Sequence, residues 1–183
     1  MKTMVILLML AGLGGCAAMS EAECRAGDWY GVGERDGRDG RRDQLGDYAE
    51  ACQKARIIPN AAEYSRGRER GLRAYCTPEN GYRVGRAGES YANVCAPELQ
   101  GAFLREYQRG HDRYELKREL DDAENTVARL GREISELNDK AGKASNEDEK
   151  RKLHRSREDK ERERRDVRIR LTILQAKWAI SGD

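Results

Sequence analysis

The feature that most constrains this chain is a short pattern, Tyr-x-x-Gly, found at Tyr30-Gly33, Tyr64-Gly67, Tyr82-Gly85 and Tyr107-Gly110. Three copies carry a further glycine soon after: Gly37, Gly71 and Gly88. Glycine inside a helix costs ~1 kcal/mol relative to alanine. A row of glycines at helical spacing therefore implies that another backbone or an aromatic ring comes close. Gly33, Gly37 and Gly40 form such a row, three or four residues apart and so on one helical face. The predicted helix is capped by Asp28 and runs through Trp29 and Tyr30 to about Gly40; a loop is the alternative, because Gly and Asp also favour turns.

The following segments read in the same way. A helix is expected from Gln44 to Ala55, with Leu45, Tyr48, Ala49 and Cys52 on one side. Ile57-Ile58-Pro59 ends it. Asn60 with Glu63 has the form of a capping box, which starts a helix from Ala61 to about Tyr75 bearing Tyr64, Gly67, Gly71, Leu72 and Tyr75. Thr77-Pro78 offers an N-cap and a first-turn proline, whereas Asn80-Gly81 is a hairpin-turn signal. A short Gly-rich helix is favoured over a hairpin for 77–94. Pro97 begins the next helix.

Core-forming residues are scarce. Charged residues make up 37% and Phe occurs once; the mean hydropathy is −0.93. A free-standing domain of ~100 residues with this composition would be marginal, so cross-links are expected. The N-terminus agrees. Lys2 precedes an uncharged apolar run, Thr3 to Leu13, too short to span ~30 Å of hydrocarbon. Leu13-Gly14-Gly15-Cys16 resembles the lipobox of bacterial lipoproteins, which implies cleavage before Cys16 and acylation of its sulfur. Ala17, not Asp, follows, which in the proteobacterial sorting scheme implies the outer membrane. Setting Cys16 aside leaves Cys24, Cys52, Cys76 and Cys95, an even number in an exported chain. Their spacing is unlike paired zinc ligands. Of the three possible connectivities, Cys24–Cys52 and Cys76–Cys95 are favoured because each pair brackets one local unit. Each closed loop contributes ~3 kcal/mol less any strain.

Gly27-Asp28-Trp29, Asp36-Gly37-x-x-Gly40, Gly67-Arg68-x-x-Gly71-Leu72-x-x-Tyr75-Cys76-Thr77-Pro78-x-Asn80-Gly81 and Tyr91-x-x-Val94-Cys95 together resemble a family of short proteobacterial lipoproteins known only as a domain of unknown function. The resemblance runs roughly from Cys24 to Tyr114. It implies a compartment and a domain boundary, and no activity.

Beyond Tyr114 the pattern changes. Leu116, Leu120, Ala123, Val127, Leu130, Ile134, Leu137, Ala141 and Ala144 alternate in steps of four and three, an a/d seam. The residues Ala141 to Asn146 interrupt it. Asn146, with acids in the following turn, starts a second helix whose seam holds Leu153, Val167, Leu171, Leu174 and Trp178, with Arg157, Lys160 and Arg164 weakening the middle. Glu119 to Asp139 holds seven acids and two bases, whereas Lys150 to Arg170 holds eleven bases and five acids. An antiparallel hairpin of ~34-residue arms, roughly 50 Å long, sets these stretches side by side and is favoured over a single helix with an open seam. In that hairpin Trp178 falls beside His111, within reach of Tyr107 and Tyr114.

Chemistry is thinly signalled. Asp28, Asp36, Asp39 and Asp43 could supply two carboxylates to an envelope glycan hydrolase; helix capping and solvation are the preferred reading. Lys150 to Arg170 could bind a polyanion such as lipopolysaccharide, but pairing with the acidic arm is preferred, and no nucleic-acid partner is expected. His111-Asp112 and His154 are read as surface residues. No Gly-x-Ser-x-Gly elbow, Walker loop or His-Glu-x-x-His motif occurs, so no catalytic residue, metal or cofactor is assigned. The expected fold is mainly α: residues 1–15 a signal peptide, 16–23 a lipidated tether, 24–114 a disulfide-stapled Gly/Tyr-rich helical domain, and 115–183 a charged coiled-coil hairpin. The expected role is a membrane-anchored envelope module, structural or binding, not an enzyme. It would face the periplasm and hold a protein or cell-wall partner through Trp29, Tyr30, Tyr64 and Tyr82, with self-association through the coiled coil possible.

Overall fold

A computed structural model describes residues 19–181. The segment expected to carry the signal peptide, Cys16 and Ala17 lies outside them. Among the described residues the elements are all helices: α1 (Glu21–Ala26), α2 (Trp29–Arg38), α3 (Leu45–Ala51), α4 (Ala61–Tyr75), α5 (Pro78–Arg86), α6 (Pro97–Lys143) and α7 (Glu147–Ile180). Local chemistry sets their starts. Asp28 accepts from the Gly31 N–H, Asn60 from Glu63 and Thr77 from Asn80, the last with Pro78 in the first turn. The segment after Cys76 is therefore a helix and not a hairpin. Helix α3 is shorter than the expected Gln44 to Ala55. It stops at Cys52, and the chain turns through Arg56, whose φ is 58°, with the Ile57 N–H donating back to the Cys52 carbonyl (3.3 Å).

The chain divides into two compact units, one of residues 19–76 with 92–96, the other of 77–91 with 97–181. In the first, α2 packs on α4 with backbone against backbone. A Cβ on Gly33 or Gly37 would fall under 3.0 Å from the carbonyl of Tyr64 or Arg68; one on Gly67 or Gly71 would meet the carbonyl of Tyr30 or Glu34 equally closely. Gly40 departs from the expected helical face. It sits beyond the helix end at φ 64°, where its N–H reaches the Gly37 carbonyl (3.1 Å), the Arg41 N–H reaches that of Asp36 (2.9 Å), and the Tyr75 ring covers it. Met19, Cys24, Trp29, Val32, Tyr48, Cys52 and Tyr64 form the core. Disulfides join Cys24 to Cys52 (Cα–Cα 5.7 Å) and Cys76 to Cys95 (5.6 Å).

The second unit repeats this construction. Helix α5 packs on the start of α6, with Gly81 against the Phe103 carbonyl, Gly85 against that of Tyr107, and Gly110 of α6 against that of Tyr82. Gly88 ends α5 at φ 70° with the same pair of capping bonds, to Gly85 (2.9 Å) and from Glu89 to Val84 (3.1 Å), and the Tyr114 ring covers it. Gly33, Gly37 and Gly40 thus correspond to Gly81, Gly85 and Gly88. Tyr64, Arg68, Gly71 and Tyr75 correspond to Phe103, Tyr107, Gly110 and Tyr114. One constant offset on each helix accounts for these contacts; Gly67, against the Tyr30 carbonyl, has no glycine counterpart, since Glu106 stands in its place.

Helix α6 continues without a break past 114, where a domain boundary was expected, and returns as α7 after Asn146, whose side chain caps the Asp148 N–H. Leu116, Leu120 and Ala123 cluster with Val167, Leu171, Leu174 and Trp178, so the expected antiparallel pairing of the arms holds. Trp178 differs in its partner. Its ring stacks on the Arg113 guanidinium (3.4 Å), which also donates to the Trp178 carbonyl (3.0 Å). Tyr107 and Tyr114 serve α5 instead, Tyr107 by donating to the Glu89 carbonyl (3.0 Å) and Tyr114 by covering Gly88. No described helix is long and apolar enough to cross a membrane.

Candidate functional site

The most concentrated polar chemistry lies inside the first helix pair. Asp36 on α2 is 2% exposed. The hydroxyls of Tyr48, on α3, and Tyr64, on α4, both donate to its Oδ2, at 2.8 and 3.0 Å. Arg41 approaches Oδ1 at 3.5 Å from the loop after Gly40. Gln44 donates its backbone N–H to the Tyr64 oxygen (3.1 Å), tying the start of α3 to the same group. Burial, then the bond to Asp36, pushes the Tyr48 phenol up. Burial also lifts Tyr64, to about 12, against the lowering effect of the Gln44 N–H. Both phenols are therefore kept as donors across the physiological range.

This arrangement holds three helices on one carboxylate. Its geometry does not suit attack on a glycan: the carboxylate is enclosed and its oxygens are already engaged by three side chains. The other acids from the same stretch do not converge on it. Asp28 caps α2, Asp43 accepts from the Leu45 N–H (2.9 Å), and Asp39 pairs at the surface with Arg41 (3.4 Å). The second helix pair has no such cage, since Val84 and Phe103 occupy the positions of Asp36 and Tyr64. Both are almost fully buried. The same backbone packing is thus achieved there without the carboxylate.

The four residues expected to bind a partner are not brought together. Trp29 and Tyr64 are core residues, 5% and 0% exposed, because the face carrying the glycines also carries them inward. Tyr30 is 38% exposed and borders an open hollow of about 320 Å³ with Arg66, Glu69, Arg70 and Arg73. Tyr82 is half-buried in the other unit, between the Arg109 and Arg86 guanidinia (4.8 and 6.0 Å). A larger hollow of about 570 Å³ lies between α1 and α3, lined by Met19, Ser20, Glu21, Asp47, Glu50, Ala51, Lys54 and Ala55. His111 lies 3.9 Å from Glu115, and the Tyr107 and Tyr114 rings flank it. Among the described residues no group of three or more His, Cys, Asp or Glu could hold a metal ion.

In α7 the bases are engaged mostly along their own helix, as in Lys150–Glu147 (3.8 Å) and Lys160–Glu163 (3.0 Å). Ion pairs across the hairpin include Lys160–Glu133 (3.2 Å) and Arg170–Glu119 (3.2 Å).

Residues 28–112 match a family described as Protein of unknown function (DUF2799). The matched segment opens at the Asp28 cap and closes just after Gly110, so it covers the glycines of both helix pairs and stops short of Tyr114, the ring over Gly88. It excludes α7. No curated protein and no solved structure matches the chain.

The Asp36 cage was not found by sequence reasoning, which grouped Asp36 with its acidic neighbours. A signal was present: Asp36 lies beside Gly37 on the packed face, where its relative Val84 precedes Gly85.

Proposed function

We propose that this protein is a lipid-anchored module of the cell envelope, structural or binding in role, with Cys16 as its acylated residue and the outer membrane as its site. The observation that carries the reading is the pair of disulfides, Cys24–Cys52 and Cys76–Cys95. Such bonds persist in exported proteins and are rare in the reducing cytosol. They agree with the lipobox-like Leu13-Gly14-Gly15-Cys16. The use of Asp28 and Asp43 as caps, and of Asp36 as a buried junction, supports a module over a glycan hydrolase. In cells, labelled palmitate should enter the wild-type chain and not Cys16→Ala, and crosslinking in intact cells followed by mass spectrometry should recover an envelope partner. An unlipidated chain that retains Met1 would overturn the anchor. Cleavage of envelope glycan by the purified chain, lost in Asp36→Asn, would overturn the module.

A further inference from the structure

The two helix pairs share their arginines but not their glutamates. In the first pair, Glu34 of α2 lies between Arg38 (2.7 Å) and Arg70 (3.4 Å), and Glu63 pairs with Arg66. By the offsets that align the glycines, Arg38, Arg66 and Arg70 correspond to Arg86, Arg105 and Arg109. Glu34 corresponds to Tyr82 and Glu63 to Ala102. The second pair has therefore kept three cations and lost both carboxylates that neutralise them. The guanidinia of Arg86 and Arg109 now face the Tyr82 ring, at 6.0 and 4.8 Å. Arg105 lies one turn from Arg109 on the same face of α6. Arg109 gains one carboxylate in exchange, Glu106 of its own helix (3.1 Å), which stands where the first pair has Gly67. Arg86 and Arg105 form no ion pair among the described residues, and all three arginines are exposed.

We propose that Arg86, Arg105 and Arg109, the first and last of them gathered on the Tyr82 ring, bind an acidic peptide segment of a partner protein. The first pair shows what these arginine positions hold when satisfied: glutamate side chains presented from two different elements. A ligand that takes their place must offer two or more carboxylates spaced along a chain, which an acidic peptide does. Guanidinia match carboxylates with paired N–H donors, and the Tyr82 ring gathers two of them. This deepens the binding-module reading by naming the chemistry of the partner.

The test measures fluorescence anisotropy of a labelled peptide of alternating Glu and Ser against the purified chain at low ionic strength. Wild type should bind, and added salt should weaken binding. Tyr82→Glu removes no cation but restores the carboxylate that the first pair has, and should weaken binding at least about tenfold. Arg86→Gln with Arg109→Gln should do the same, while Arg165→Gln with Arg168→Gln on α7 should leave binding unchanged. Circular dichroism of each variant separates lost binding from lost fold. Binding by Tyr82→Glu equal to wild type overturns the proposal. So does a loss that follows the α7 variant, or a wild-type chain that binds phosphate-rich lipid vesicles and not the peptide. The assay is made in solution, so the anchor and the peptide site can each fail without the other.

Discussion

Asp36 is a junction because two phenols donate to a single oxygen of it, and this makes its removal asymmetric. Asp36→Val, which copies Val84, would leave both hydroxyls buried without their acceptor and should cost about 2–5 kcal/mol. Adding Tyr48→Phe and Tyr64→Phe removes the stranded donors but takes the acceptor from the Gln44 N–H, so it should recover part of that loss in urea unfolding. If the triple variant is the least stable of all, the cage contributes more than mutual satisfaction. The phenols also set an alkaline limit. Tyr64 titrates near 12 in the fold, and Tyr48 is raised as well, against 10.0 for the free side chain. Between those values the unfolded chain sheds protons that the folded one keeps, so stability is intact below about pH 10 and falls as pH rises toward 12. A phenolate absorbance titration should show Tyr48 and Tyr64 ionising late, together with unfolding. The glycines divide just as clearly. Gly37→Ala drives a Cβ into the backbone of Arg68 and Leu72 and should cost about 1–3 kcal/mol or more. Gly46→Ala in α3 meets nothing within 4 Å and should stabilise by up to about 1 kcal/mol.

At the scale of elements, the two arms of the hairpin differ in what they bring to its centre. Leu116, Leu120, Leu171 and Leu174 pack together at the open end; in the middle α6 buries Leu130 and Ile134, whereas α7 brings Arg157 and Lys160, with the pairs Lys160–Glu133 and Arg157–Asn138 (3.3 Å). Exposed pairs of this kind contribute ~0.2–1 kcal/mol and weaken with salt. Amides around 157–164 should therefore exchange fastest within α7 apart from its frayed ends. Spin labels at 116 and 174 should be close within one chain, a closeness that survives dilution with unlabelled protein; closeness lost on dilution would mean an intermolecular coiled coil. Much of this was legible. The unbroken heptad located the hairpin, Asn60 located α4, and Thr77-Pro78 located α5. The internal repeat was not legible, because the tyrosines mask it. Tyr82 corresponds to Glu34, and Tyr30 to Pro78, so the Tyr-x-x-Gly copies are out of structural register. The packing reads the glycines, Gly33-Gly37-Gly40 against Gly81-Gly85-Gly88, since only a missing Cβ lets two backbones meet. Trp29 and Tyr64 were expected to hold a partner for a related reason: aromatic residues signal burial and binding alike until the buried face is known. Trp178 went to Arg113 because the tyrosines beside it were already committed to α5.

For the whole molecule, the prediction that matters most is covalent. Non-reducing peptide mapping should return Cys24 linked to Cys52 and Cys76 to Cys95, and a chain carrying four free thiols would remove the argument for an oxidising compartment. Those two bridges also fix how the chain transmits force. They close sequence separations of 28 and 19 residues. Tension applied from the N-terminal side of Cys24 toward α6 follows the shortest line of bonds: across the first bridge, along 52–76 through α4, across the second bridge and into Pro97. Residues 25–51 and 77–94 carry none of it, so α2, α3 and α5 are slack under a pull that straightens α4. Reduction would place both bypassed stretches in the line and lengthen the tether by about 160 Å when fully drawn out. The oxidised protein is a short leash, and the thiol form a long one.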